Sequence, residues 1–353
     1  MLETAAVKRE PSITDSLFAK NRQCVLDVIK SFTKPEYIDG LRRKNLAEQS
    51  FDATMELIYG PKEELVKRGY DQLSMAEAAM AQFIGESGDV LLPYSGGRDS
   101  TTMALLLSMM MLNEATRKFD LITVLNGFTD LQENPRTHFE LIKKVTGNSN
   151  IRHLYFDLSG LFKANVVDSA GDDLARLGYP GFCSGCKLNM EAGIAMVAEN
   201  LYPDTEQIHI PMGYNYFQGS QQWPEQTKPQ MDTIHTAING RNGRAHIGAP
   251  MYDVTQYAVD SSLMLALFGI GDGSQKREMK CVGAGTNPIS IDEETLAGFV
   301  SFKYEQTLAA IGAISSGLIG LVTETPVLPT LDHRSSVLAF KADPENMKGV
   351  YTK

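Results

Sequence analysis

Little in this chain's composition points to secretion, a membrane or a polynucleotide backbone. Its 353 residues hold four cysteines, Cys24, Cys183, Cys186 and Cys281. Four thiols in a chain of this length make no disulfide framework, and a C-x-x-C pair among them points to metal or redox chemistry. Long apolar runs are lacking too. The longest weakly polar stretch, Leu308 to Val322, is broken by glycines and serines and is too short to span a bilayer. Met1 to Ser12 mixes charges with apolar residues and has no signal-peptide core. A cytoplasmic protein with no membrane partner is therefore expected. Positive charge is also in short supply, with 33 Lys and Arg against 43 Asp and Glu and a formal net charge of −10. A protein that grips a phosphate backbone carries a basic footprint, so nucleic acid is the less favoured partner and a small molecule the expected one. The Walker A pattern G-x-x-x-x-G-K-S/T is missing as well, which excludes that route to a nucleotide.

What is present has an order. Residues up to about Gly85 read as helical, with one helix after Ser12, another over Ser50 to Ile58 and a third over Ser74 to Ile84. At Asp89 the texture changes to short apolar runs alternating with helical stretches. Strands are expected at Val90–Tyr94, Leu121–Leu125, Asn150–Phe156 and Gln207–Met212, and helices at Thr101–Leu112, Pro135–Thr146 and Met190–Asn200. That alternation predicts an α/β fold: a parallel sheet with helices on both faces, and ligands at the carboxyl ends of its strands. After about Asp272 the alternation fades, and Asp292 to Leu318 reads as helical. The expected division is an N-terminal helical extension over 1–86, an alternating α/β domain over 87–275 and a C-terminal helical segment and tail over 276–353.

The strongest motif is Ser95-Gly96-Gly97-Arg98-Asp99-Ser100, between an apolar strand and an apolar helix. Glycines let the backbone turn sharply and approach a ligand closely. The helix that follows presents N–H groups and a positive dipole end to phosphate oxygens. Ser95 and Ser100 add hydroxyls. Asp99 is a candidate to receive a loop N–H or to hold a Mg2+ ion that screens the phosphates. The second motif is Cys183-Ser184-Gly185-Cys186-Lys187, with Cys281 standing 95 residues beyond Cys186. Three readings are open for these thiols: ligands of a metal cluster, a persulfide carrier with a resolving thiol, or a structural zinc site, which would need a fourth ligand. Lys187 is a candidate to hold a phosphate or the reacting oxygen, its alternative being a solvated lysine at a helix start. Arg241 and Arg244 are candidates to fork onto a nucleotide phosphate. Cys24 reads as a small buried hydrophobe.

The hexapeptide, with the strand before it and the helix after it, resembles the PP-loop ATP pyrophosphatases (adenine nucleotide alpha hydrolase-like). The resemblance covers roughly Ser87 to Asp272. It implies cleavage of ATP between the α and β phosphates, transfer of AMP to a substrate oxygen, and displacement of AMP by nitrogen or sulfur. It also implies that Asn126, at the end of the second strand, lines the adenosine pocket. The order of PP-loop, C-x-x-C and one distant cysteine is similar to that of the three-cysteine iron–sulfur enzymes that make 2-thiocytidine or 2-thiouridine in tRNA. On that resemblance Cys183, Cys186 and Cys281 would hold a 4Fe-4S cluster with one iron free of protein ligands. The function it implies is an ATP-dependent sulfurtransferase acting on a carbonyl of a nucleobase or nucleotide, a guanine-type compound giving a thio-purine being the expected substrate. ATP, Mg2+ and the cluster would be the cofactors. Sulfide or a cysteine desulfurase would supply the sulfur, and a homodimer is one expected state. The alternatives are a tRNA thiolation enzyme, or a PP-loop amidotransferase or ligase that uses ammonia and keeps its cysteines for structure. Gly213-Tyr214-Asn215 follows the fourth expected strand, and the stretch Tyr216 to Trp223 supplies aromatic and amide groups suited to a flat heterocycle.

Overall fold

A computed structural model of the chain describes residues 12–43, 48–125, 133–157, 184–213, 232, 235–236, 238–240, 243–255, 257–271 and 322–323. Four helices come first: α1 (Ile13–Phe32), α2 (Pro35–Arg43), α3 (Glu48–Tyr59) and α4 (Lys62–Ile84). The alternating part then runs β1 (Asp89–Pro93), α5 (Arg98–Met110), β2 (Phe119–Leu125), α6 (Glu133–Thr146), β3 (Arg152–Asp157), α7 (Ser184–Leu201), β4 (Ile208–Pro211), β5 (Ala245–Gly248) and α8 (Ala258–Leu267), with a short β6 (Val322–Thr323) beyond.

The sheet has the order β5-β4-β1-β2-β3-β6. Its first five strands are parallel, and β6 pairs antiparallel to β3. The expected α/β class is thus the one observed. β1 lies between β2 and β4, so the chain moves one way from β1 through β3 and then returns past β1 to form β4 and β5. A right-handed crossover at each step puts α5 and α6 on one face and α7 on the other. The gap outside the carboxyl ends of β1 and β4 is the topological switch point, where sheets of this kind bind ligands.

Side chains on β1 alternate between the two faces. Val90 and Leu92 join one hydrophobic core with residues of α1, α4, α5 and α8, including Leu17, Phe32, Leu65, Leu73, Met80, Met103, Leu106 and Leu263. α5 is buried from Ser100 to Ser108 without a polar stripe, because it is covered by α6 and α8 as well as by the sheet. On the other face Gly193 of α7 comes so close to Phe156 that a Cβ there would sit 3.1 Å from the ring.

The N-terminal helices are docked by polar contacts as well as by burial. Glu77 of α4 accepts from the N–H groups of Ile13 and Thr14, both at 3.1 Å, and so satisfies the start of α1. α1 kinks at Asn21, whose amide donates to the Leu267 carbonyl at the end of α8, 2.6 Å away.

The amino edge of the sheet is closed by arginines. Arg117 donates to the carbonyls of Gly88 at 2.6 Å and of Ile84, at the end of α4, at 3.0 Å. Arg244 donates to the carbonyls of Glu199, Tyr202 and Thr205 at 2.6–2.8 Å, around the end of α7. This corrects one expectation. Arg244 satisfies the orphan carbonyls of a helix terminus instead of forking onto a phosphate, and it does so at the edge opposite the glycine loop. Arg241 lies outside the described residues, as does the helix expected over Asp292 to Leu318. Among the described residues no helix is long and apolar enough to cross a membrane.

Candidate functional site

The loop from Ser95 to Gly97 leaves the carboxyl end of β1 and enters α5, whose N-cap is Gly97. Gly96 has φ +73°, a left-handed conformation that a side chain makes costly, and this is the turn that aims the start of α5 at the switch point. The loop folds on itself through long hydrogen bonds. The Gly97 N–H donates to Ser95 Oγ at 3.3 Å, Ser95 Oγ and Ser100 Oγ are 3.2 Å apart, and the Ser100 hydroxyl reaches the Gly97 carbonyl at 3.2 Å. Gly213, just past β4, packs against the same turn, with Ser100 Cα 3.5 Å from where its Cβ would be. The two strand ends that flank the switch point therefore bring Gly96, Gly97, Ser100 and Gly213 into one cluster.

The two charged residues of the hexapeptide are engaged by α8. Ser261 donates a short hydrogen bond to Asp99 Oδ1, and Arg98 Nη1 donates to Ser262 Oγ at 2.9 Å. The next polar residue on that helix, Asp260, is fully buried and takes two hydrogen bonds from Arg68 of α4 at 2.6 and 2.8 Å. Arg68 also stacks its guanidinium 4.9 Å from the centre of the Tyr257 ring.

From the β2 side the loop is held by a buried relay. The Thr123 hydroxyl lies 2.6 Å from the carbonyl of Tyr94, the residue before Ser95, and 2.8 Å from His153 Nε2 on β3. A carbonyl only accepts, so the single hydroxyl proton goes to Tyr94 and the histidine must donate from Nε2. Burial holds this imidazole neutral, its pKa pushed down to about 4. Its ring sits against Tyr94, Phe139 and Tyr155.

The remaining expected site residues divide by position. Cys186 and Lys187 fall in the first turn of α7, where the backbone is described. β3 and β4 are parallel, so α7 runs from the carboxyl edge, where β3 ends, back to the amino edge, where Tyr202 donates to Asp120 at 2.6 Å. The first turn of α7 is thereby on the same side of the sheet edge as the glycine loop. Cys183, Cys281 and Asn126 lie outside the described residues. Among the described residues there is no group of three or more His, Cys, Asp or Glu arranged to hold a metal ion. Cys24, on α1, is a free thiol packed against the core, with its pKa raised by burial and by Asp27.

Several residues of this arrangement carried no sequence signal. Ser261, Ser262, Thr123 and His153 belong to no motif and reach the loop from elements distant in the chain. Glu191 of α7 and His235 form a second buried pair, with Oε2 and Nε2 3.3 Å apart.

No protein-family model matches this chain, and no curated protein matches it. Among solved structures, the chain is similar to the U34-tRNA thiolase NcsA of Methanococcus maripaludis with its 4Fe-4S cluster, at 13% identity and a TM-score of 0.35, over 79% of this chain and 80% of that one. It is similar to NAD+ synthetase of Burkholderia pseudomallei at 11% identity and a TM-score of 0.35, over 86% and 96%. A predicted subunit of a tRNA methyltransferase from Methanocaldococcus jannaschii aligns at 18% identity and a TM-score of 0.26, over 46% and 69%. The fold rests on the sheet itself: a parallel α/β architecture of order β5-β4-β1-β2-β3 with a glycine loop at its switch point.

Proposed function

We propose that this chain is a PP-loop ATP pyrophosphatase that adenylylates a carbonyl oxygen of a nucleobase or nucleotide and replaces that oxygen with sulfur. The observation that carries the ATP reading is the Ser95–Ser100 turn at the start of α5, with Gly213 against it. It combines a positive-φ glycine, two hydroxyls and a helix N-terminus at the sheet's switch point. The fit to a phosphate group follows from the donors. Bonds of 3.2 and 3.3 Å inside the loop are long and weak, so a charged oxygen competes for the same donors with shorter, charge-assisted bonds.

In this reading the Gly97 N–H, the hydroxyls of Ser95 and Ser100 and the first turn of α5 hold the departing pyrophosphate. They favour the charge that builds on it as the α–β bond breaks. Asp99 would hold Mg2+ beside the phosphates, and Asn126 would line the adenosine pocket. Lys187 would orient the acceptor oxygen as a point charge. Cys183, Cys186 and Cys281 would hold the 4Fe-4S cluster, a set of three thiolates that leaves one iron open; the cluster would supply a binding place for exogenous sulfide, the nucleophile that displaces AMP. Support for proximity comes from topology, since the first turn of α7, with Cys186 and Lys187, begins on the loop's side of the sheet. The acidic balance of the chain favours a free base or nucleotide over tRNA.

The test is product analysis on protein purified without oxygen and supplied with ATP, sulfide and a panel of purine and pyrimidine bases and nucleotides. AMP, pyrophosphate and a thiolated heterocycle are expected, with about four irons per chain. ADP and phosphate as products would overturn the ATP assignment. AMP formed with ammonia by iron-free protein would replace thiolation with amide formation.

A further inference from the structure

Resting on the reading that the loop seats ATP, we infer that Ser261 and Ser262 of α8 are positioning residues for the triphosphate, and that Arg68 ties the N-terminal helical layer into the same site. α8 reads Ala-Val-Asp-Ser-Ser-Leu-Met-Leu-Ala-Leu and is buried from Val259 to Leu267. Three consecutive polar side chains inside such a helix are costly unless each has a partner. Here each one meets a charged residue from elsewhere in the chain. Asp260 takes Arg68, Ser261 donates to Asp99, and Ser262 accepts from Arg98. Successive helical residues point about 100° apart, so a helix face alone does not bring neighbouring side chains onto one loop. Both serines nevertheless reach the adjacent charged residues of one hexapeptide, across 162 and 164 positions of sequence.

The consequence is that the rotamers of Arg98 and Asp99 are set by α8 before any ligand arrives. Such preorganisation lowers the ordering cost of binding. α8 is in turn held in place by the Arg68–Asp260 pair and by Asn21 at its far end. Helices α1 and α4 thus support the loop as well as covering the core.

The experiment is a double-mutant cycle read by titration calorimetry with α,β-methylene-ATP on the full chain, with thermal unfolding of each ligand-free variant alongside. Ser261→Ala and Ser262→Ala are each expected to weaken binding about tenfold while leaving the ligand-free unfolding midpoint close to that of the parent chain. In an Asp99→Asn background, Ser261→Ala is expected to add less than about twofold. Ser262→Ala is expected to behave likewise in an Arg98→Met background, because a residue that acts through another shows non-additive losses. Parent-like affinity in the alanine variants, or losses that multiply in the double variants, would overturn the inference and leave the ATP reading standing. Absence of binding by the parent chain itself would overturn the ATP reading and this inference with it.

Discussion

Arg68 of α4 and Asp260 of α8 meet through two parallel hydrogen bonds of 2.6 and 2.8 Å, and the carboxylate is fully buried. Asp260 also accepts from the Tyr257 N–H at 3.1 Å, so it secures both a helix start and an ion pair. Removing one member of such a pair strands the other charge in the interior. Arg68→Met is expected to destabilise the chain by about 3 kcal/mol, measured by urea denaturation. Restoring balance with Arg68→Met/Asp260→Leu should recover most of that loss. If the single variant lost under about 0.5 kcal/mol, the pair would be a solvent-screened contact with no structural weight.

His153 gives the fold a pH signature. Its pKa lies near 4 in the folded chain because burial disfavours the charged ring, against about 6.5 when unfolded. Between those values the unfolded state binds a proton that the folded state refuses. The His153 contribution is therefore complete above about pH 6.5 and declines as the pH falls toward 4, by up to about 3 kcal/mol. His209 and His246, both shifted down by burial, act in the same direction. His153→Gln keeps a donor for Thr123 and cannot titrate. Its stability curve should fall less steeply between pH 6.5 and 4 than that of the parent chain, and identical slopes would contradict the assignment.

Gly96 is held at φ +73°. A Cβ in that conformation costs about 1–2 kcal/mol, or else the loop relaxes away from the geometry that serves the phosphates. Gly96→Ala is expected to lower the unfolding midpoint and weaken ATP binding together. A variant with parent-like stability and affinity would show that the turn is not needed as built.

The thiols are expected to separate by role. On the cluster reading, Cys281→Ala abolishes bound iron yet leaves ATP binding intact, as do the same changes at Cys183 and Cys186. Cys24→Ala leaves iron unchanged and costs about 1 kcal/mol of packing, because Cys24 is a half-buried side chain of α1 packed against the core. Iron content by chemical assay decides this, and iron retained in Cys281→Ala contradicts the three-ligand set.

Much of this architecture was legible in the residues, and the misses have physical causes. The runs at Val90 and Leu121 and the glycine loop between them announce strand, turn and helix directly. Observed β1, α5 and β2 fall within a few residues of the expected spans. α8 was not foreseen because it is apolar on all sides apart from Asp260, Ser261 and Ser262, and so has no amphipathic period to read. β5 was not foreseen because Ala245–Gly248 carries a single large apolar side chain, Ile247; its edge is capped by Asn239, whose amide exchanges two hydrogen bonds of 2.9 Å with Ile247. The same limit applies to the site. The hexapeptide is a local signal, whereas the serines that hold Arg98 and Asp99 join it only through tertiary packing of α8 on α5.

The central claim is that the Ser95–Ser100 loop seats ATP, and equilibrium binding of α,β-methylene-ATP to the full chain tests it most directly. Saturable binding at one site per chain is predicted, with a dissociation constant of about 1 μM to 1 mM. It should be lost in Gly97→Val, where a side chain would start 3.2 Å from Ser95 Oγ and grow into the turn. No binding by the parent chain at millimolar ligand, or undiminished binding by Gly97→Val, would contradict the account.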